Sequence, residues 1–251
     1  MELLTFLGTA SAIPDIQHQN SHLLIQSGKS TVLVDCPGNP IVRIMEAGTN
    51  PNEISDLVLT HFHPDHVSGL PLLLMDLWLL GRKQELTIYG LQYTLERAKS
   101  LLGLFNWLAW KDMYPVHFVE VPETDFFPLI EREDLNLFSS PGKHLIPVIG
   151  LRFEFPKSGK KIVYTSDGEP CPAIQELAMN VDILIHEAAG EGFGHSSATQ
   201  CGQVAQVCKV NELYLIHYPT QKSVKKMIAD ATRNYSGKVF VAEDLNRILF
   251  A

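Results

Sequence analysis

Thr60-His61-Phe62-His63-Pro64-Asp65-His66-Val67-Ser68-Gly69-Leu70 decides the reading of this chain. It follows the apolar run Leu57-Val58-Leu59 directly. His61, His63, Asp65 and His66 can all bind a metal, and they fall where a β-strand should end. Pro64 stiffens the loop and Gly69 frees it. A buried strand that opens into such a loop can aim several ligands at one point. Imidazole and carboxylate groups suit zinc, manganese or iron better than calcium. The plain alternative is a solvated polar loop. A lone histidine would fit it well, but His-x-His-x-Asp-His after a strand fits it poorly.

Moving outward, short β-like runs recur: Leu3–Leu7, Ser21–Gln26, Thr31–Asp35, Asp56–Thr60, Leu86–Tyr89, Val116–Val121, Leu151–Phe155, Lys161–Ser166, Asp182–His186, Glu212–His217 and Lys238–Ala242. Several are continuously apolar, as strands covered on both faces should be. Helical spacing is found in Pro40–Ala47, Tyr93–Leu108, Pro172–Met179, Ala198–Lys209 and Ser223–Asn234. Pro122–Pro128 reads as an acidic surface excursion. No linker or sequence repeat divides the chain. The expectation is one α/β domain over residues 1–251, with sheets inside and helices outside.

The composition excludes other classes. The chain has 251 residues, 45% hydrophobic and 19% charged, with a net charge of −8. Disorder, collagen and coiled coil are excluded. A protein that coats nucleic acid nonspecifically is disfavoured, although a local basic patch is not. Val67–Leu80, the most apolar stretch, is too short for a membrane span and carries Asp76. The N-terminus lacks the basic start of a signal peptide. Cys36, Cys171, Cys201 and Cys208 form no CxxC pair and read as reduced thiols in a cytoplasmic protein.

Other candidate ligands close strand runs or sit in loops, the usual home of catalytic groups. His144 follows Pro141-Gly142-Lys143, Asp167 closes Ile162–Ser166, and His217 closes Leu213–Ile216. His18, His22 and His117 have no motif around them, and His186 ends a buried strand, so these read as structural or exposed.

With these residues in view, the sequence resembles the metallo-β-lactamase superfamily, and within it the ribonuclease Z-like branch. Leu7–Pro14 resembles the family's opening turn and Leu33–Cys36 its next strand end. His61–His66 is similar to its signature, Ile185–Ala188 to its His-Glu-Ala-Thr motif, and His195–Ala198 to its His-Ser-Thr motif. Val241–Leu245 resembles its closing strand. The resemblance implies a four-layer αβ/βα sandwich of two mixed β-sheets flanked by helices. It implies two divalent metal ions, zinc first, with Mn2+ or Fe2+ as alternatives. His61, His63 and His144 would hold one ion, Asp65, His66 and His217 the other, and Asp167 would bridge them. A bridging hydroxide would attack phosphorus, with Asp65 helping to orient it. His195 would be the general acid, held by Glu187. Asp35 is placed to bond a metal-bound histidine, or else to make a turn. A homodimer is also implied.

The match breaks in places. Ribonuclease Z enzymes often carry a long arm that grips tRNA between the third histidine and the bridging aspartate, and the span from His144 to Asp167 is too short for one. Gly168 stands where the family commonly has Thr. The basic groups Lys157/Lys160/Lys161 and Lys222/Lys225/Lys226 offer only a modest footprint for phosphates. Leu104–Trp110 is suited to stacking on bases or covering the site, or to burial or a dimer contact. The expected activity is a metal-dependent phosphodiesterase acting on a precursor tRNA or on a smaller phosphodiester. The competing hydrolase reading has a lactone, thioester or sulfate ester as substrate. A flavodiiron-type reductase is disfavoured by His63 and by the lack of a flavin domain, and a noncatalytic binding module by the full ligand set.

Overall fold

The computed structural model describes residues 2–250. The first part of the chain contains β1 (Glu2–Gly8), β2 (His22–Ser27), β3 (Ser30–Val34), α1 (Pro40–Glu46), β4 (Asp56–Val58), α2 (Pro64–Val67), α3 (Leu70–Leu79), β5 (Leu86–Leu91), α4 (Gln92–Leu104) and β6 (Val116–Val121). The second part contains β7 (Phe127–Glu131), β8 (Asn136–Pro141), β9 (Ile149–Glu154), β10 (Lys161–Tyr164), α5 (Pro172–Leu177), β11 (Ile183–Glu187), α6 (Ala198–Val207), β12 (Glu212–Ile216), α7 (Val224–Thr232) and β13 (Lys238–Val241). The last strand, β14 (Arg247–Phe250), returns to the first sheet and pairs with β1.

Two seven-stranded sheets result, in the orders β14-β1-β2-β3-β4-β5-β6 and β13-β12-β11-β10-β9-β8-β7. Each starts with antiparallel neighbours and then runs parallel, from β3 to β6 in one and from β10 to β13 in the other. The two halves thus repeat one topology with no visible repeat in sequence.

Strand periodicity builds the layers. Leu4, Phe6, Ile25, Val34, Phe153, Ile162 and Ile185 face the core between the sheets. Their neighbours Leu7, Leu24, Leu33 and Leu57 face a second core under α1, α3 and α4. Val163, Leu184 and Leu213 face a third core under α5, α6 and α7. This is the mixed, helix-flanked double sheet of the metallo-β-lactamase fold. Phe153 is fully buried, and truncating it to alanine should cost about 3–5 kcal/mol.

Several boundaries differ from expectation. The run Asp56–Thr60 leaves the strand ladder after Val58, because the Thr60 amide donates to the Asp35 side chain (2.8 Å). The helix expected over Tyr93–Leu108 stops at Leu104, and Asn106 is left-handed at φ 49°. Part of the supposed excursion Pro122–Pro128 belongs to β7. The expected closing strand Val241–Leu245 turns away after Val241, so β14 is the strand that closes the first sheet. Gly69 has an ordinary φ of −83°. Its role is close approach, since a Cβ there would lie 2.5 Å from the Cys36 carbonyl oxygen. Asp65 and His66 lie on the helical turn α2, not in an open loop, with Pro64 at its start. Cys36, Cys201 and Cys208 are buried and all four thiols are free. Among the described residues no helix is long and apolar enough to cross a membrane.

Candidate metal centre

The site forms where strands from both sheets end. His61 follows β4, His144 follows β8, Asp167 follows β10, Glu187 ends β11 and His217 follows β12. Their carboxyl ends open on one side, the usual place for ligands in sheets with parallel strands. Asp35, Ser166 and His217 sit just after strands with left-handed φ values of 60°, 54° and 51°. Non-glycine residues adopt this conformation only when surrounding contacts enforce it, and such strain gathers at functional sites.

The expected ligands converge. His63 Nδ1 lies 3.1 Å from both His61 Nε2 and His144 Nε2. Asp167 Oδ2 lies 3.1 Å from His217 Nε2, 3.6 Å from His66 Nε2 and 3.9 Å from His61 Nε2. Asp65 Oδ2 is 3.7 Å from His66 Nε2 and 4.0 Å from His217 Nε2. His61, His63, His144 and Asp167 make one group able to hold a metal, and Asp65, His66 and His217 make another. A third group joins Asp167, His195 and His217, a proximity the sequence did not suggest.

The hydrogen bonds behind the ligands fix the ring nitrogens. Asp35 Oδ2 accepts from His66 Nδ1 (2.8 Å) and from the Thr60 hydroxyl (2.8 Å). That hydroxyl in turn accepts from His61 Nδ1 (3.1 Å). His144 Nδ1 donates to the Gly194 carbonyl (2.7 Å). The Nε2 lone pairs of His61, His66 and His144 are therefore left facing inward. His63 Nδ1 has at most one proton to offer its two neighbours. Among the described residues, buried His66 Nε2 and Asp167 Oδ1 have no hydrogen-bond partner. Such orphaned groups are expensive unless a cation satisfies them. Nitrogens at the corners of a tetrahedral zinc site stand about 3.3 Å apart, close to the observed spacings. The donor set fits a metal, and Thr60 and Gly194 are supports that no motif marked.

Charge points the same way. Burial lowers His61 well below the usual imidazole range, and His66 and His144 add to the effect. Burial also lowers His63 and His144, and takes His217 down to about 4. These rings stay neutral, the form that binds metal. His66 is the exception: burial opposes its charge, but Asp167 and Asp35 outweigh it and raise that ring well above its ordinary value, so a metal bound there would displace the Nε2 proton. Burial likewise opposes charge on Asp167, yet His217 and His66 hold it far below the usual carboxylate range.

Glu187 accepts from the amides of Ser196 (2.8 Å), Ala189 (2.8 Å) and Gly168 (3.1 Å), and from His195 Nδ1 (3.1 Å). Burial raises this carboxyl, while His195 and the Ala189 amide oppose the rise. The Glu187 hydrogen bond raises His195 in turn. The contact with Gly168 uses only backbone, so the missing Thr side chain leaves it intact. His186 is buried, points Nδ1 at the Glu187 carbonyl (2.9 Å), and is pushed down to about 4 by burial. His22 is buried as well, and His117 is exposed.

Other candidate features lie apart. Lys160 pairs with Asp182 (2.8 Å) at the opposite end of β10. Trp107 and Trp110 pack onto the core under the first sheet, with Trp78 stacked on Trp110. A cavity of about 630 Å³ opens beside Lys29, Arg82, Arg132 and Asp134, at the strand ends away from the histidines. Its arginines are already engaged: Arg82 donates to four backbone carbonyls and Arg132 to buried Asp56.

With this geometry established, comparison with known proteins is direct. A family model described as Anti-Pycsar protein Apyc1 matches residues 2–236. The chain belongs to that family. It is also similar to a ribonuclease Z from Methanothermobacter thermautotrophicus, with 24% identity covering 96% of this chain and 94% of the relative. That alignment spans 296 positions, so the relative carries insertions this chain lacks. Among solved structures, the metallo-β-lactamase fold protein YhfI from Bacillus subtilis gives a TM-score of 0.84 at 21% identity, covering 98% of each chain. Human tRNase Z, short form, gives 0.80 at 22% identity, covering 99% of each. These structures attest the fold, and the sequence of this Apyc1-family chain resembles the ribonuclease Z branch along nearly its whole length.

Proposed function

We propose that this chain is a dinuclear metal-dependent phosphodiesterase, related to ribonuclease Z, that acts on small phosphodiesters. In this reading His61, His63 and His144 hold one ion, Asp65, His66 and His217 the second, and Asp167 is shared. The observation that carries it is the convergence of imidazoles from both sets on one Asp167 oxygen, at 3.1–3.9 Å. Divalent ions held there, zinc first and manganese or iron as alternatives, would supply Lewis acidity and make water a nucleophile at neutral pH.

The protein's own groups do the rest. Asp35 and Thr60 lock the tautomers of His66 and His61, so the ligands need little reorganisation. Asp65, less buried than Asp167, is positioned to orient a water. His195 points its Nδ1–H at Glu187, which favours the imidazolium and keeps the Nε2 proton available for the departing oxygen. An alkoxide leaving group benefits most from such an acid. The segment from His144 to Asp167 contains only β9, a turn and β10, with no arm to embrace a tRNA.

The test is hydrolysis of bis(p-nitrophenyl) phosphate beside a precursor tRNA, with zinc or manganese titrated into metal-free protein. Saturation near two ions per chain is expected, with turnover of the small ester and little cleavage of the tRNA. Full activity at one ion would end the dinuclear assignment. Efficient 3′ cleavage of the tRNA would end the small-substrate assignment. Inertness toward both substrates would end the phosphodiesterase reading.

A further inference from the structure

The loop from Gly190 to His195 is built against ordinary backbone preferences. Gly190, Gly192 and Gly194 have φ values of 135°, 100° and 77°, which glycine adopts readily. Phe193 lies among them at φ 52°, a region that bulky side chains avoid. Its ring gains nothing from burial, since 89% of the residue is exposed. Stability alone would favour Gly or Asn there. Phe126 and Leu245 share such a φ but are less exposed, so Phe193 is the strained apolar side chain most fully presented to water, and strain of this kind gathers at functional sites.

The loop is also firmly placed. Gly190 donates to the Ser196 carbonyl (3.0 Å), His195 donates to the Gly192 carbonyl (3.2 Å), and Lys222 reaches the Ala189 carbonyl (2.8 Å). Gly194 accepts from His144, and a Cβ on Gly194 would lie 2.9 Å from His144 Nδ1. Adjacent Cα atoms are about 3.8 Å apart, so the Phe193 Cα lies within about 8 Å of that nitrogen. Leu145, 64% exposed, flanks the same loop and would meet a Gly194 Cβ at its own amide and Cγ. Two exposed apolar side chains therefore border the His144–His195 side of the centre.

We propose that Phe193, backed by Leu145, is the wall on which the planar base of a nucleotide substrate stacks while its phosphodiester lies over the centre. Aromatic faces bind bases with little regard to sequence, so this contact would tune affinity for nucleotides as a class. The inference rests on the phosphodiesterase reading above.

The test compares thymidine 5′-(p-nitrophenyl phosphate) with methyl p-nitrophenyl phosphate, which share a leaving group and differ by the nucleoside. Phe193→Ala should raise KM for the nucleoside ester about tenfold relative to the methyl ester, and Phe193→Trp should restore the ratio. In a second arm, metal-loaded Phe193→Trp protein is titrated with thymidine 5′-monophosphate. Fluorescence quenching beyond that of the parent protein is expected, and it requires no turnover. An unchanged KM ratio in Phe193→Ala, or no added quenching in Phe193→Trp, would overturn the stacking role. Failure of the parent protein to hydrolyse either ester would instead overturn the phosphodiesterase reading.

Discussion

The two halves of the sandwich share a topology but furnish the centre differently. The first half supplies His61, His63, Asp65 and His66 from one hexapeptide, braced by a single buried carboxylate, Asp35. The second half supplies His144, Asp167, Glu187, His195 and His217 from separate strand ends and loops. Asp167 is where the halves meet, since its Oδ2 faces imidazoles from both. One half therefore behaves as a preformed claw, and the other as a set of independent arms whose register depends on the whole second sheet.

The sharpest break of this comparison is Asp167→Asn. Hydrolysis should fall to background and bound metal to at most one ion per chain, as read by elemental analysis. Retention of two ions would mean that the halves hold metal separately. Next in size is His195→Ala, which should leave metal in place and slow turnover by about 10²–10⁴-fold on an alkyl leaving group. The loss should shrink with p-nitrophenolate, which departs without a proton, and an equal loss on both would remove the acid role. Asp35→Asn tests the claw. Metal affinity should weaken by about 10–100-fold, with activity recovered in excess metal. A wild-type affinity would show that the imidazoles need no brace.

The smallest effect is on stability in acid, with one buried histidine in each half. Burial takes both His22 and His186 down to about 4. In the unfolded chain such rings titrate near 6.5, so between those values the unfolded state binds more protons and stability rises with pH. Each histidine should cost about 1.4 kcal/mol on going from pH 7.5 to 5.5. Chemical denaturation of His22→Asn and His186→Asn across that range should flatten the slope by similar amounts. If only one does so, the halves differ in their core as well as in their candidate ligands.

This asymmetry also governs what could be read from sequence. The claw is legible because its candidate ligands are contiguous and follow an apolar run. The arms are single residues at strand ends, and their roles came through resemblance. Thr60 and Gly194 support the site through a hydroxyl and a carbonyl, which carry no distinctive pattern. β7 and β8 are hidden because β7 contains Pro128 beside an acidic turn and β8 ends in Ser139-Ser140-Pro141, which reads as a loop. α3 sat unrecognised inside the apolar stretch Val67–Leu80, where nearly uniform hydrophobicity hides helical period. The helix over Tyr93–Leu108 overextends because the apolar spacing runs on through Leu108, although Asn106 is a residue type that readily takes the left-handed conformation found there.

The pairing of β1 with β14 has a consequence for synthesis. Leu3 opposes Leu249 and Leu4 opposes Ile248, so β1 leaves the ribosome long before the strand that covers its outer margin. Until then a nascent chain presents an unprotected strand able to recruit another copy. Contacts so remote in sequence form slowly, which lengthens the exposure. Chaperone dependence during translation should therefore track the arrival of Arg247–Phe250, whatever the state of the catalytic end.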